Sequence, residues 1–195
     1  MPPRETRRNR PRPAEPVPEG SDMLITTERL TMREMAATDA AAFADMASDG
    51  SLGDVGFDAD CRSWMPAWMA EAREFARRDD PMRDYLAYAV ALKGTGEVIG
   101  SVGCSYYEDL HEVGATYFIG AQYRGHGYAA EALRAYAAYF RERYGPTRLI
   151  ATIREENVPS WRTAERVGFA LTDRRMYRDI NDARAAPYRF YEMRC

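Results

Sequence analysis

The stretch QYRGHGYAAEALRAYAAYF, residues 122–140, begins as a glycine loop and continues as a helix. Gly125 and Gly127 both fall where that helix should start. Two glycines there point to a backbone that bends tightly or closely approaches something else. Downstream, Ala129, Leu133, Tyr136, Ala137, Phe140 and Tyr144 make one apolar stripe, with Glu131, Arg134 and Arg141 away from it. Gly145-Pro146 stops the helix. Upstream, EVGATYFIG over 112–120 reads as a strand. A strand, a glycine loop and a helix N-terminus together expose unpaired N–H groups and a partial positive charge, which suits a phosphate.

Two familiar phosphate patterns fail here. Gly120 and Gly125 match the first glycines of a Walker loop, but His126-Gly127 stands where Lys-Ser/Thr is required. A dinucleotide fingerprint fails because Ala130 takes the third glycine position and no repeated βαβ pattern precedes it. A loop for the pyrophosphate of coenzyme A is the third option.

Working outward, RLTMRE alternates, with Leu30 and Met32 on one face, and predicts a strand. Thr38 or Asp39 can cap a helix carrying Phe43 and Met46. Residues 63–78 place Trp64, Trp68, Ala72 and Phe75 at helical spacing. YLAYAVAL and EVIGSVGCS, joined by KGTG, predict a hairpin. RLIATI over 148–153 reads as a buried strand, a short helix follows over 159–167, and strands are expected near 170–178 and 187–194. The pattern predicts a mixed α/β (α+β) domain, one sheet with helices on both faces.

At 195 residues and 46% hydrophobic, the chain is long enough for one domain with a real core. Its net charge of -3 argues against a nucleic-acid partner. No apolar run reaches membrane-spanning length. Cys61, Cys104 and Cys195 are scattered and odd in number, which fits a reducing cytoplasm, and two histidines are too few for a His-rich metal site. Residues 1–22 mix Pro and Arg with almost no large aliphatic side chain, so they are expected to form a disordered extension ahead of a folded domain at 23–195. Arg7-Arg8 lacks the apolar stretch that a twin-arginine signal needs. Truncation to Met23 is expected to leave the melting temperature and activity nearly unchanged; a large loss in either would mean that the extension orders onto the domain.

Gln122-Tyr123-Arg124-Gly125-His126-Gly127 resembles the Gln/Arg-x-x-Gly-x-Gly/Ala signature of the GNAT superfamily of acyl-CoA-dependent N-acyltransferases. The neighbouring segments agree. Asn157, Ser160, Gly168 and Phe169 are similar to the family's second motif, and TERLTMRE resembles the opening of the branch that holds ribosomal-protein N-terminal acetyltransferases. The resemblance covers roughly residues 24–180. It implies a mostly antiparallel mixed sheet with a splayed central strand pair, and acetyl-CoA as acyl donor. The pyrophosphate would sit on N–H groups of residues 123–129, with Gln122, Tyr123, Arg124, Gly125, His126, Gly127, Tyr128 and Ala129 as cofactor-binding positions. Arg124 adds a charge-assisted contact or stays a solvated cation. Backbone of Phe118 and Ile119 would pair with the pantetheine arm, and Asn157 would touch that arm or brace its loop.

Transfer from a thioester to an amine needs a neutral amine, a proton acceptor, a fixed N–H donor for the oxyanion and help for the departing thiolate. Many relatives place a tyrosine seven residues after the motif asparagine; here that position is Ala164, so the role does not carry over. Ser160 is the natural substitute, or else a helix cap. Relatives often carry an acidic residue at the position of Gly114. Glu112, two residues earlier on the same strand face, is the leading candidate base, with Glu108, Asp109 and Glu155 as rivals. Trp64, Trp68 and Phe75 either border the acceptor or fill the core. The resemblance implies a primary-amine acceptor, on a protein N-terminus or a small molecule, and is compatible with a homodimer. The alternative function is a non-catalytic acyl-CoA sensor on the same fold.

Overall fold

The computed structural model describes residues 23–58, 60–179 and 182–194. The predicted extension, residues 1–22, lies outside the described residues.

The strands are β1 (Leu24–Thr26), β2 (Leu30–Arg33), β3 (Leu86–Leu92), β4 (Val98–Tyr107), β5 (Glu112–Ile119), β6 (Arg148–Arg154), β7 (Ala170–Tyr177) and β8 (Ala186–Arg194). They form one sheet in the order β1-β2-β3-β4-β5-β6-β8-β7. Every neighbouring pair is antiparallel except β5–β6, which is parallel. The helices are α1 (Ala40–Ala47), α2 (Cys61–Arg78), α3 (Tyr128–Tyr144) and α4 (Val158–Val167). The expected mixed sheet with helices on both faces is the one observed.

Period-2 alternation divides two apolar clusters between the faces. One collects Val102, Cys104, Val113, Ala115, Leu149, Ala151 and Tyr191 from the sheet with Leu133, Tyr136, Ala137 and Phe140 of α3. The other joins Ala87, Ala89 and Ala91 of β3 to Phe43 and Met46 of α1 and Met65, Met69 and Ala72 of α2. The apolar stripe read for α3 is the buried one: Leu133, Tyr136, Ala137 and Phe140 are all buried, and Gly145 ends the helix with φ +57°. The tryptophans of α2 are only partly buried. Trp68 packs against Phe43 and Phe57, and both phenylalanines pack edge-on against Phe118 of β5. That aromatic cluster fixes the side of β5 opposite α3.

The short strand β1 was not evident from sequence. It is three residues long and pairs only with β2, too short for alternation to register.

Candidate active site

Strand β5 is hydrogen-bonded to β4 along its length, from Tyr107↔Glu112 to Gly100↔Ile119. Against β6 it has a single registered pair, Gly114↔Ile150. Beyond that pair the two parallel strands part. The gap opens into a groove of about 610 Å³, lined by Tyr117, Phe118 and Ile119 of β5, the glycine loop, the start of α3, the start of α4 and the Ser51–Val55 segment. Its size suits a small-molecule ligand.

Peptide groups along a strand alternate in direction. The Phe118 carbonyl leans on β4, where a Cβ on Gly100 would lie 2.2 Å from it, and Gly120 N–H donates to Ile99 O at 2.9 Å. The peptide groups of Tyr117 and Ile119 therefore turn toward the gap. Ile119 O is already taken by Arg124 Nε at 3.0 Å.

Gly125 and Gly127 sit at φ +82° and +80°, the left-handed region that side chains avoid. A Cβ on Gly125 would meet nothing within 4 Å. The glycine answers a backbone angle and an open space, which is the geometry of a cradle for an incoming group. Glu131 N–H makes the first intrahelical bond of α3, to Gly127 O at 3.1 Å. The N–H groups ahead of it have no intrahelical acceptor and carry the positive end of the helix dipole. The loop and helix start thus fit the diphosphate of a nucleotide-like acyl carrier.

A clasp from the other end of the chain holds this loop. Arg29 donates through Nη1 to His126 O (2.9 Å) and through Nε to Glu131 Oε2 (2.7 Å), while Thr27 Oγ1 donates to Glu131 Oε1 (2.6 Å). Burial pushes the Glu131 carboxyl up, but hydrogen bonds from Thr27 and Arg29 outweigh it and hold the group below its ordinary range. Local sequence carries no signal of this clasp, because its partners are about a hundred residues apart.

The predicted cofactor positions divide. Tyr123, Arg124, Gly125, Gly127, Tyr128 and Ala129 line the groove, as do Phe118, Ile119, Asn157 and Ser160. Gln122 and His126 are exposed and lie outside its lining. His126 is stacked on Tyr128 with its ring Nδ1 2.9 Å from Arg124 O. Arg124 is exposed but anchored: besides Ile119 O, its Nη2 donates to Ser51 O at 3.3 Å and so ties the loop to the opposite wall.

At the floor, Ser160 Oγ donates to Tyr117 Oη at 3.0 Å, and Tyr117 Oη donates back to Ser160 O at 2.8 Å. Burial pushes the Tyr117 hydroxyl up to about 12, against the lowering effect of Ser160. The cap of α4 is Asn157, whose Oδ1 accepts from Ser160 N at 3.2 Å. The Ser160 hydroxyl is therefore not a cap. Tyr117 was missed in sequence because an aromatic residue within TYFI reads as core.

The carboxylates are placed differently from expectation. Glu112 stands at the first residue of β5, on the paired side of Gly114↔Ile150, and accepts from Arg148 Nε at 2.8 Å. It does not line the groove. The reading proposed below therefore does not draw on it as base: alternation gives the face of the strand but not which end lies at the groove. Asp109 accepts from Tyr177 Oη at 3.2 Å, Glu155 is paired with Arg189, and Glu108 is exposed in the turn after β4. The carboxylates that do line the groove are Asp54 and Glu156. Among the described residues no group of His, Cys, Asp and Glu could hold a metal, and no helix is long and apolar enough to cross a membrane.

A family model described as an acetyltransferase (GNAT) domain matches residues 29–170. An uncharacterized N-acetyltransferase of Bacillus subtilis (strain 168), YnaD, is 26% identical over 149 residues, 75% of this chain and 82% of the relative. The structure of an acetyltransferase from Agrobacterium tumefaciens str. C58 superposes with a TM-score of 0.68 at 26% identity, covering 93% of this chain and all of that one. A ribosomal L7/L12 alpha-N-protein acetyltransferase, RimL, solved in complex with coenzyme A, shares the fold with a TM-score of 0.73 at 14% identity, over 88% of this chain and 98% of its own.

Proposed function

The chain belongs to the GNAT acetyltransferase family and is an acyltransferase, and from that premise we propose that it moves the acetyl group of acetyl-CoA directly to a primary amine. The observation that carries the reading is the gap between β5 and β6. It runs from the left-handed glycines at the start of α3 to the Ser160–Tyr117 pair. The loop N–H groups would hold the diphosphate, and the cleft-facing peptide groups of Tyr117 and Ile119 would order the pantetheine arm. The Tyr117 N–H would serve as the donor to the oxyanion. Ser160 Oγ would turn its proton from Tyr117 to the departing sulfur.

The acceptor is an amine on a protein N-terminus or a small molecule. An α-amine, with a reference pKa of about 7.7–8.0 against about 10.4 for a lysine side chain, is neutral more often near pH 7. The likeness to a ribosomal-protein acetyltransferase makes peptides the first acceptors to try. Asp54 and Glu156 at the groove wall suit a cationic acceptor. Both described cysteines are buried and unpaired, which supports a reducing compartment such as the cytoplasm.

The test is incubation with acetyl-CoA and a mixture of free-N-terminus peptides, amino acids, polyamines and aminoglycosides, read by mass spectrometry. A product heavier by one acetyl group supports the reading. Thermal stabilisation by acetyl-CoA with no acetylated product in any arm would favour the acyl-CoA sensor instead.

A further inference from the structure

We propose that Glu156 takes the proton of the attacking amine, with Asp54 holding that amine from the facing wall of the groove. The proposal rests on the acetyl-transfer reading above and supplies its proton acceptor from within the groove.

Elimination points to these two residues. A proton acceptor near pH 7 is a carboxylate or a neutral imidazole. Among the described residues that line the groove, Asp54 and Glu156 are the carboxylates, and there is no histidine. The lining hydroxyls of Tyr117 and Tyr123 keep their protons. Burial pushes the first up to about 12, and a hydrogen bond to Glu97 raises the second. The guanidinium groups of Arg124 and Arg166 accept none.

The two walls converge at the acyl end. Arg124 ties Ser51 O to the glycine loop at 3.3 Å, so the Ser51 end of the 51–55 wall lies at the diphosphate cradle. Toward its other end, Asp54 Oδ1 is 3.9 Å from Arg154 Nη1. The α4 wall runs the same way. Arg166 O accepts from Arg134 of α3 at 3.3 Å, whereas Glu156, ahead of the helix, has its Oε1 3.4 Å from the same Arg154 Nη1. Asp54 and Glu156 thus meet at one guanidinium nitrogen, and Ser160 lies between that point and Arg166.

The faces of the sheet agree. Leu149, Ala151 and Ile153 of β6 belong to the core under α3, so alternation turns Arg154 to the other face. Phe118 also faces that way, packed on Phe43 and Phe57. Tyr117, which holds Ser160, packs on the α3 side. An amine attacking from the Asp54–Glu156 side leaves the Ser160 side free for the departing sulfur. Of the two carboxylates, Glu156 has the firmer backbone: its carbonyl accepts from Val158 N–H at 2.8 Å, beside the Asn157 cap. Its side chain is 77% exposed, which opens a path for the proton to solvent.

In the transfer step the neutral amine nitrogen bonds to the acetyl carbon, and the C–S bond breaks with its electron pair left on sulfur. The N–H proton passes to the Glu156 carboxylate, directly or through one water. The thiolate is protonated from the Ser160 side or by water, and Glu156 gives its proton to solvent.

The test compares the full-length parent with Glu156→Gln, Asp54→Asn and Glu155→Gln. The readout is amine-dependent CoA release from saturating acetyl-CoA between pH 6 and 9, with the amine mixture of the transfer assay as acceptor. At pH 7, Glu156→Gln should lower release about 10²-fold, the usual scale for losing a general base. Its deficit should shrink toward pH 9, where more amine is neutral and hydroxide takes the proton. Stabilisation by acetyl-CoA should be unchanged in this variant. Asp54→Asn should lose rate mainly when the mixture is diluted and recover at high amine, the mark of lost binding rather than lost chemistry. The charged groups around Glu156 are Arg154, Asp54, Asp182 and Tyr188, with Glu155 and Arg189 beside them. Glu155 is paired with Arg189 outside the groove, so Glu155→Gln should keep the parental profile. Parental release by Glu156→Gln, or an equal loss in Glu155→Gln, overturns the assignment of Glu156 and leaves the transfer reading standing. A parent that acetyl-CoA stabilises but that acetylates no amine overturns the transfer reading, and the assignment with it.

Discussion

Gly125→Val is expected to leave the fold standing and to abolish acetyl-CoA binding. The φ of +82° at Gly125 lies where an L-residue pays about 1–2 kcal/mol and a β-branched one more. No protein atom lies within 4 Å of the added Cβ, so the core has nothing to relieve and the domain should fold. The valine side chain would instead occupy the space kept for a phosphate. If the loop relaxes toward negative φ, its N–H groups turn away from the groove. Either route removes the cradle. For the parent, acetyl-CoA at about 100 times its Kd should add about 2.7 kcal/mol of stability by linkage. The variant should melt near the unliganded parent and gain nothing from the ligand. Gly127→Val carries the same strain at φ +80°, while its Cβ would stand in ordinary contact, 3.6 Å, with Arg29 Nη2. An unchanged ligand shift in Gly125→Val would show that the loop is only a turn.

What was legible in the sequence was local. The helical stripe of α3, the glycine pair before it, the hairpin of β3 and β4 and the strand RLIATI all follow from spacing within a dozen residues. They come out within one or two residues of the observed ends. What was hidden depends on partners remote in the chain. Thr27 and Arg29 reach Glu131 across about a hundred residues, and Tyr117 meets Ser160 across 43. Glu112 shows the boundary most clearly. Alternation places it on the face of Gly114, and there it lies. Alternation does not say where β5 leaves β6, nor that Arg148 opens β6 beside it. Two residues along a strand are about 7 Å, enough to separate a surface ion pair from a reaction site. Ser160 was ambiguous for a related reason. Serine, threonine, aspartate and asparagine all cap helices, and Asn157 stands three residues ahead of it. Only the observed bond from Ser160 N to Asn157 Oδ1 gives the cap to the asparagine and leaves the serine hydroxyl for Tyr117.

That division of labour makes Ser160→Ala a test of chemistry rather than of folding. Were Ser160 the cap, its removal would cost about 1 kcal/mol of stability and spare the rate. With Asn157 as cap, the melting temperature should barely move. The lost hydroxyl is instead a donor to a sulfur that becomes negative only as the C–S bond breaks. A hydrogen bond to a charged group is worth about 1.5–3 kcal/mol, which predicts a fall in kcat of about 10- to 100-fold. Because the charge is absent from bound acetyl-CoA, affinity for it should hold. Tyr117→Phe should fall between parent and Ser160→Ala: the Ser160 hydroxyl survives but loses the acceptor that aims it. Glu112→Gln is the contrast. Its carboxylate answers Arg148 outside the groove, so the variant should turn over near the parental rate from pH 6 to 9. A pH-dependent loss in Glu112→Gln would return that residue to the mechanism. A parental kcat in Ser160→Ala would leave the thiolate to be protonated by water, and the Ser160–Tyr117 pair would then be a brace between α4 and β5.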